Sequence, residues 1–287
     1  MSAATTIAPA LPASGNRRRR RGRWNAPLVA GLILFGLIVA CALCAPLLTS
    51  QDPLKQDLAN AFLAPGAKGH LLGTDELGRD VLARLLYGAR VDLRVGVLAV
   101  ISPLILGSLI GLIAGWFGGW IDAVIGRIVD IVIAFPFLVL VIALVFAMGP
   151  GTTSIYTAIT LVGWVAYCRI VRGQVLVAKE QEYAMAARAS GLPTWRILLR
   201  HLLPNVVLQA VVFSMSDIVL TLLAIVTLGF LGLGVPPPTP DWGTMIQEGQ
   251  QFILDKWYMS TIPGLAIIIT GLALALIADG IVEKANQ

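Results

Sequence analysis

The chain has 287 residues, 57% of them apolar and only 13% charged, with a net charge of +5 and a mean hydropathy of +0.83. Soluble domains carry about 25% charged residues, so this composition excludes a soluble enzyme and points to an integral membrane protein. Three cysteines, Cys41, Cys44 and Cys168, show neither metal-ligand nor disulfide spacing, which gives no metal site and reads them as buried small hydrophobes.

The chain opens with an Ala-, Ser- and Pro-rich tail, Met1 to Asn25, that ends in Arg17–Arg21 and Arg23. A basic stretch before an apolar one is the mark of a signal peptide. Here the apolar stretch is too long, and no small-residue cleavage site follows, so a retained first helix is expected. The arginines then hold the tail, residues 1–27, in the cytoplasm, and this topology signal explains them without nucleic-acid binding.

Runs of about 20 apolar residues can cross a bilayer as helices, and six are present: 28–48, 95–117, 128–148, 155–171, 206–233 and 262–281. The fifth exceeds one span and is expected to tilt or to end outside the lipid. No β alternation accompanies them, so the expected fold is an all-α polytopic bundle with both termini cytoplasmic. Residues 28–49 form the first transmembrane helix, 50–92 an external loop with an amphipathic helix, and 93–284 the core. Lys and Arg divide as 14 inside and 7 outside, but six of those seven fall in the single segment 51–94, against the positive-inside bias.

Within that segment, residues 73–94 read as a surface helix with Thr74 or Asp75 at its start. Val81, Leu82, Leu85 and Leu86 form its apolar stripe, and Asp75–Arg79 and Asp80–Arg84 are i,i+4 pairs on its polar face. Such a helix closes the bundle on the outer surface or forms part of an entrance for a binding protein. Further on, Asp130 lies three residues after Arg127 and is expected to pair with it.

Residues 179–204 are charged yet strongly helical, between two hydrophobic spans. Lys179–Ser190 has high helix propensity, Gly191 suits a C-terminal cap, and Pro193 opens a second helix, 194–203, before Pro204 starts the fifth span. Ala186, Ala187 and Ala189 let a partner groove approach closely; Tyr183, Leu198 and Leu202 are its apolar anchors; Arg188, Arg196 and Arg200 supply steering charge. A helix lying on lipid headgroups is the alternative reading.

Asp217 is the one acid near the middle of a span, where a carboxylate costs about 2.5–3.5 kcal/mol, so it should face a cavity or a partner helix. It lines a pathway and meets a peptide's amino terminus or a cation, or it is neutral and hydrogen-bonded to Ser214, Ser216 or Thr221. The later loop, 234–263, holds Asp241, Trp242, Glu248, Asp255, Trp257 and Tyr258. Its Trp and Tyr suit a membrane interface, and its size suits contact with an external protein.

Three segments carry a family resemblance. Ala186-Ala187, Gly191, Leu203 and Pro204 fall at the spacing of the ATPase-coupling loop of bacterial ABC importer permeases. Met185 and His201 replace the usual Glu and Ile, and Glu182-Tyr183 ahead of the alanines, with Arg200-His-Leu-Leu-Pro-Asn205 after them, is similar to the peptide/nickel branch. His70-Leu-Leu-Gly-Thr-Asp-Glu-Leu-Gly-Arg-Asp80 and Phe230-Leu-Gly-Leu-Gly-Val-Pro-Pro-Pro-Thr-Pro-Asp-Trp-Gly243 resemble the C-type permeases of that branch.

The resemblance implies a type I permease fold in a bacterial inner membrane and import of di- or oligopeptides. Nickel, glutathione and peptide conjugates are the rival substrates. It implies a B-type permease partner, two cytoplasmic ATP-binding subunits and an external solute-binding protein, besides lipid. Glu182, Tyr183, Ala186, Ala187, Arg188, Gly191, Leu203 and Pro204 would then meet the ATPase, and Asp217 the pathway. No Gly-x4-Gly-Lys-Ser/Thr loop is present, so no cofactor is expected on this chain and ATP belongs to its partners. Secondary transport is disfavoured because Asp217 stands nearly alone in the spans. A membrane enzyme is disfavoured because His70 and His201 both fall in aqueous loops, leaving a Ser nucleophile no base.

Overall fold

A computed structural model describes residues 26–285. The arginine run Arg17–Arg23 and the rest of the tail before Ala26 lie outside the described residues. Among the described residues the fold is helical, with two isolated β-bridges, Ala67–His70 and Thr74–Asp80. Among the described residues five helices are long and apolar enough to cross a membrane, six if one sharply bent pair counts as a single span.

The first span is α1 (Ala26–Leu43), followed by a short turn, α2 (Ala45–Leu48), where Pro46 interrupts the expected continuous run. A 3₁₀ turn, Leu58–Asn60, leads into the loop that carries His70–Asp80. The next helix, α3 (Val81–Phe117), is 37 residues long. The expected surface helix over 73–94 is therefore not a separate element. From Val81 onward its residues form the first turns of a spanning helix, which runs straight through the expected 92/93 boundary. Its cap is neither Thr74 nor Asp75 but Asp80, whose side chain accepts from the Ala83 N–H at 2.7 Å. Residues 73–80 cannot join the helix because Gly78 has φ +71°, and a Cβ there would sit 1.8 Å from the Asp57 carbonyl oxygen.

The third expected span breaks in two. Helix α4 (Gly119–Ile133) and helix α5 (Phe137–Met148) meet at 88°. Pro136 is the cause: it has no N–H to donate backward, and it caps α5 instead. The expected Arg127–Asp130 pair does not form; the α4 acid that finds a partner is Asp122, held by Arg172.

Helix α6 (Thr152–Ala178) is the longest-running neighbour of α3. Gly107, Gly111 and Gly115 of α3 face it one turn apart. A Cβ at Gly107 would lie 2.2 Å from the Trp164 carbonyl oxygen, and one at Gly111 would lie 2.5 Å from that of Cys168. Helices in lipid associate by this kind of backbone contact, which small residues at four-residue spacing permit. Helix α7 (Glu182–Ala189) follows, then α8 (Thr194–Arg196), which continues through a π-helical turn, Ile197–Leu202, into α9 (Leu203–Phe230). Pro204 thus does not separate two helices: the wide π turn ends where Pro204 could not have donated, and the axis carries on. Helices α10 (Trp242–Gln250) and α11 (Tyr258–Ala285) complete the chain, with α1 lying against α11.

The end of the bundle holding α10 is tied by buried charge. Asp75 accepts from Arg79 Nε at 2.6 Å and from Arg84 Nη1 at 2.5 Å, while Glu248 of α10 accepts from Arg79 at 3.0 Å and from Arg84 at 2.7 Å. The Asp75–Arg79 pair is therefore real but buried. The Asp80–Arg84 pair does not form, since Asp80 holds the α3 cap and His70 at 2.8 Å. Trp242 is buried inside the protein, donating its backbone N–H to Asp92 at 2.9 Å and its indole N–H to the Leu85 carbonyl at 3.0 Å. Exposed Trp257 suits an interfacial belt; Trp242 does not. Asp241 caps α10 by accepting from the Thr244 N–H, and its burial raises its carboxyl above the ordinary carboxylate value.

These contacts also account for three of the six cations in 51–94. Arg79 and Arg84 are neutralised inside the protein, and Arg90 donates to the Ala42 and Leu43 carbonyls at the C-terminus of α1, where a cation opposes the helix dipole.

Candidate functional site

Two features stand apart from the packing of the bundle: the segment 179–204 at one end, and a cavity beside Asp217.

Helix α7 begins at Glu182, three residues later than its propensity suggests, because Lys179 still caps α6. It closes at Gly191, whose φ of +72° puts it in the left-handed region. The Gly191 N–H donates to the Arg188 carbonyl at 3.0 Å and the Leu192 N–H to the Ala187 carbonyl at 3.4 Å. This pair of bonds is the Schellman closure, and it reverses the chain toward α8.

Glu182, Tyr183, Met185, Ala186, Arg188, Ala189 and Gly191 are exposed, whereas Ala184 and Ala187 are buried against α6 and the π turn. Ala187 is therefore a packing residue of this chain and not part of the open face. Leu198 and Leu202, expected as anchors for a partner, are likewise in the core with Tyr167, Val171 and Val206, and Leu203 packs against the same cluster. The anchors actually presented are Tyr183, Met185, Trp195 at 61% exposure and Leu199. Four-residue spacing groups Trp195 with Leu199 and Leu198 with Leu202, and only packing against Tyr167 and Val171 of α6 decides that the second pair turns inward.

Three cationic side chains tie this segment to the junction of α3 and α4. Arg172 grips Asp122 with two donors, Nε to Oδ1 and Nη2 to Oδ2, the latter at 2.6 Å. Lys179 Nζ donates to the Gly115 carbonyl at 3.1 Å, and the Arg188 guanidinium stacks 4.1 Å from the centre of the Trp116 ring.

Asp217 lies on α9 and lines an open cavity of about 390 Å³. The rest of the lining is apolar: Val132, Ile133, Phe135 and Phe137 at the α4–α5 bend, Val162, Gly163, Val165 and Ala166 on α6, and Leu220 on α9. Its hydrogen bond comes not from Ser214, Ser216 or Thr221 but from the Tyr167 hydroxyl, which donates to Oδ2 at 2.6 Å. The Ser214 hydroxyl is turned to the Val211 carbonyl. Tyr167 was not legible as a partner, since the two residues are 50 positions apart on different helices. An acid in one apolar span and two tyrosines, Tyr156 and Tyr167, in another were the hint.

Comparison with known proteins gives a consistent result. Residues 107–287 match the family described as binding-protein-dependent transport system inner membrane component, and residues 18–65 match the N-terminal TM domain of oligopeptide transport permease C. The chain is 39% identical over 263 residues to the di/tripeptide transport system permease protein DppC of Pseudomonas aeruginosa, covering 90% of this chain and 86% of the relative. It is 41% identical to the dipeptide transport system permease protein DppC of Escherichia coli K12, covering 90% and 87%. Among solved structures, an inward-facing MetNI methionine ABC transporter aligns with TM-score 0.52 at 16% identity, over 70% of this chain and 95% of that one, a likeness of fold. The chain therefore belongs to the binding-protein-dependent transport system inner membrane components, multi-pass permease subunits of transport complexes, in the oligopeptide permease C branch.

Proposed function

We propose that this chain forms one half of the translocation pathway of an ATP-driven, binding-protein-dependent importer of dipeptides and short oligopeptides. It is a non-catalytic subunit without a cofactor of its own. A B-type permease supplies the other half, two cytoplasmic ATP-binding subunits dock on residues 179–204, and an external binding protein delivers substrate to the opposite face. Both termini are cytoplasmic on this reading.

The observation that carries it is the exposed face of α7 and α8, with Glu182, Tyr183, Ala186, Arg188 and Gly191 in solvent and Trp195 uncovered beside them. Pro204 lies exposed at the head of α9, while Ala187 and Leu203 hold the segment from within. A polar helix with exposed aromatic anchors at the end of a membrane bundle is a surface made for another protein. Peptides are favoured over nickel, glutathione or conjugates because the relatives above are named for di- and tripeptide transport.

Asp217 gives the pathway one polar contact in an otherwise apolar cavity. Its Oδ2 is taken by Tyr167, and Oδ1 faces a peptide's free ammonium group or another cation. Holding the carboxylate is costly without such a partner.

The test is purification of the chain from its native membrane in mild detergent, with cross-linking from Met185. Recovery of a second permease and an ATPase supports the reading, and an Asp217→Asn variant should then import a dipeptide about tenfold more slowly, as loss of one charged hydrogen bond predicts. Recovery of this chain alone after cross-linking refutes it.

A further inference from the structure

The three contacts at the α3–α4 junction raise a question that docking does not answer: why does the docking segment reach across to another pair of helices? Arg172 on the last turns of α6 reaches Asp122 of α4, while Lys179 and Arg188 of the segment reach Gly115 and Trp116 at the end of α3. Asp122 sits in the first turn of α4, where a carboxylate also suits the helix N-terminus. Helix α4 then runs 15 residues, about 22 Å at 1.5 Å per residue, to Ile133. There the chain bends by 88°, and Ile133, Phe135 and Phe137 line the Asp217 cavity. Beside α6, which lines the cavity and leads into α7, helix α4 thus also joins the two features, gripped at one end by Arg172 of α6 just ahead of the docking segment and forming part of the cavity wall at the other.

We infer that the Arg172–Asp122 clamp, supported by Lys179 and Arg188, is the positioning contact that carries movement of the docked segment through α4 to the bend at the cavity. The inference rests on the importer reading above. Three features favour transmission over simple stability. The Arg172 side chain is 39% exposed, and Asp122 20%, so the pair adds little to folding. Its two-pronged geometry nevertheless fixes direction as well as distance, which a single donor does not. The far end of α4 is already broken at Pro136, so a shift of α4 moves Ile133 and Phe135 without having to drag α5 as part of one straight rod.

A load on α6 and α7 therefore reaches the cavity by a path that does not pass through α9, although α9 carries Asp217 itself. In this arrangement Arg172 and Asp122 touch neither ATP nor substrate; they act through α4. Losing the clamp should leave the ATPase docked and hydrolysing while fewer peptides cross per ATP.

The experiment is a charge exchange in the reconstituted complex of permeases, ATP-binding subunits and binding protein. Asp122→Arg and Arg172→Asp are made singly and together, with Arg172→Gln as a milder variant, and ATP hydrolysed per peptide imported is measured alongside complex recovery and melting. Each single variant should raise ATP use per peptide by roughly two- to thirty-fold with unchanged melting. The double exchange should recover most of the loss, which a merely structural role would not produce. Single variants with wild-type coupling, or a double exchange no better than either single one, would overturn the clamp while leaving the importer reading intact. A wild-type complex without ATP-driven uptake would overturn both.

Discussion

Replacing Gly191 tests whether the closure of α7 is what presents the docking face. The position has φ +72° and no atom within 4 Å of where a Cβ would stand, so a substitution there meets no steric neighbour and its cost is purely conformational. A left-handed backbone costs an ordinary L-residue about 1–2 kcal/mol, and a β-branched side chain falls at the upper end. Gly191→Val should therefore disfavour the closed turn by about 2 kcal/mol, or about thirty-fold in its population. The bonds from Gly191 to Arg188 and from Leu192 to Ala187 would open together. Helix α7 is only eight residues long and has little stability of its own, so its end would fray. The bundle would survive, because Ala184 and Ala187 remain packed with Val171, Val175 and Leu202. Uptake by the reconstituted complex should fall in the order glycine, asparagine, alanine, valine, with asparagine close to wild type because it enters the left-handed region readily. Melting of the permease in detergent should hardly move across the series. Normal uptake by the valine variant would refute the docking role of this turn, and an asparagine variant as damaged as valine would refute the backbone argument.

Two further outcomes follow from the packing. Asp75→Asn leaves Arg79 and Arg84 sharing Glu248 alone in a buried site, and it should destabilise the permease by about 3–5 kcal/mol, seen as an early melting transition in detergent. An unchanged melting curve would show that the network is solvated. Gly111→Leu forces a side chain into the Cys168 carbonyl, where a Cβ alone would stand at 2.5 Å, and it should cost about 1–3 kcal/mol and lower the yield of folded protein, whereas Gly126→Leu, with open space around it, should not.

Much of the fold was legible because lipid restricts the choices: apolar runs of the right length became helices at each expected place. What the runs did not disclose was where they stop being straight. Pro136 lay inside the third run, yet hydropathy averages over it, and only its missing N–H turns one span into two helices at 88°. The opposite error arose at Pro204, which reads as a boundary but sits where a π turn has already released the hydrogen bond that proline would break. Around 73–94 the i,i+4 charges suggested a polar surface, while Asp75 and both arginines are buried and share a second acid, Glu248, 164 positions beyond Arg84. Charge spacing along one helix carries no information about such a contact. The glycines at 107, 111 and 115, by contrast, were readable as a four-residue stripe and fit the close approach of α3 and α6.

The same distinction runs through the candidate site. Local features, such as the glycine that closes α7 and the polar helix before it, follow from short-range chemistry, and the sequence displays them directly. The outward-facing set does not: Leu198 and Leu202 turn inward while Trp195 and Leu199 turn out, and four-residue spacing groups each pair without saying which one the bundle covers. Tyr167 reaches Asp217, and Arg172 reaches Asp122, only once three helices are in place. Both pairs join a titratable side chain on α6 to an acid on another helix, one in the bilayer and one at its edge. Helix α6 thus holds the cavity's carboxylate and the clamp on α4, while its C-terminus leads directly into α7. A permease that must change the shape of a cavity when a partner moves a surface segment gains from placing both contacts on the helix that connects them.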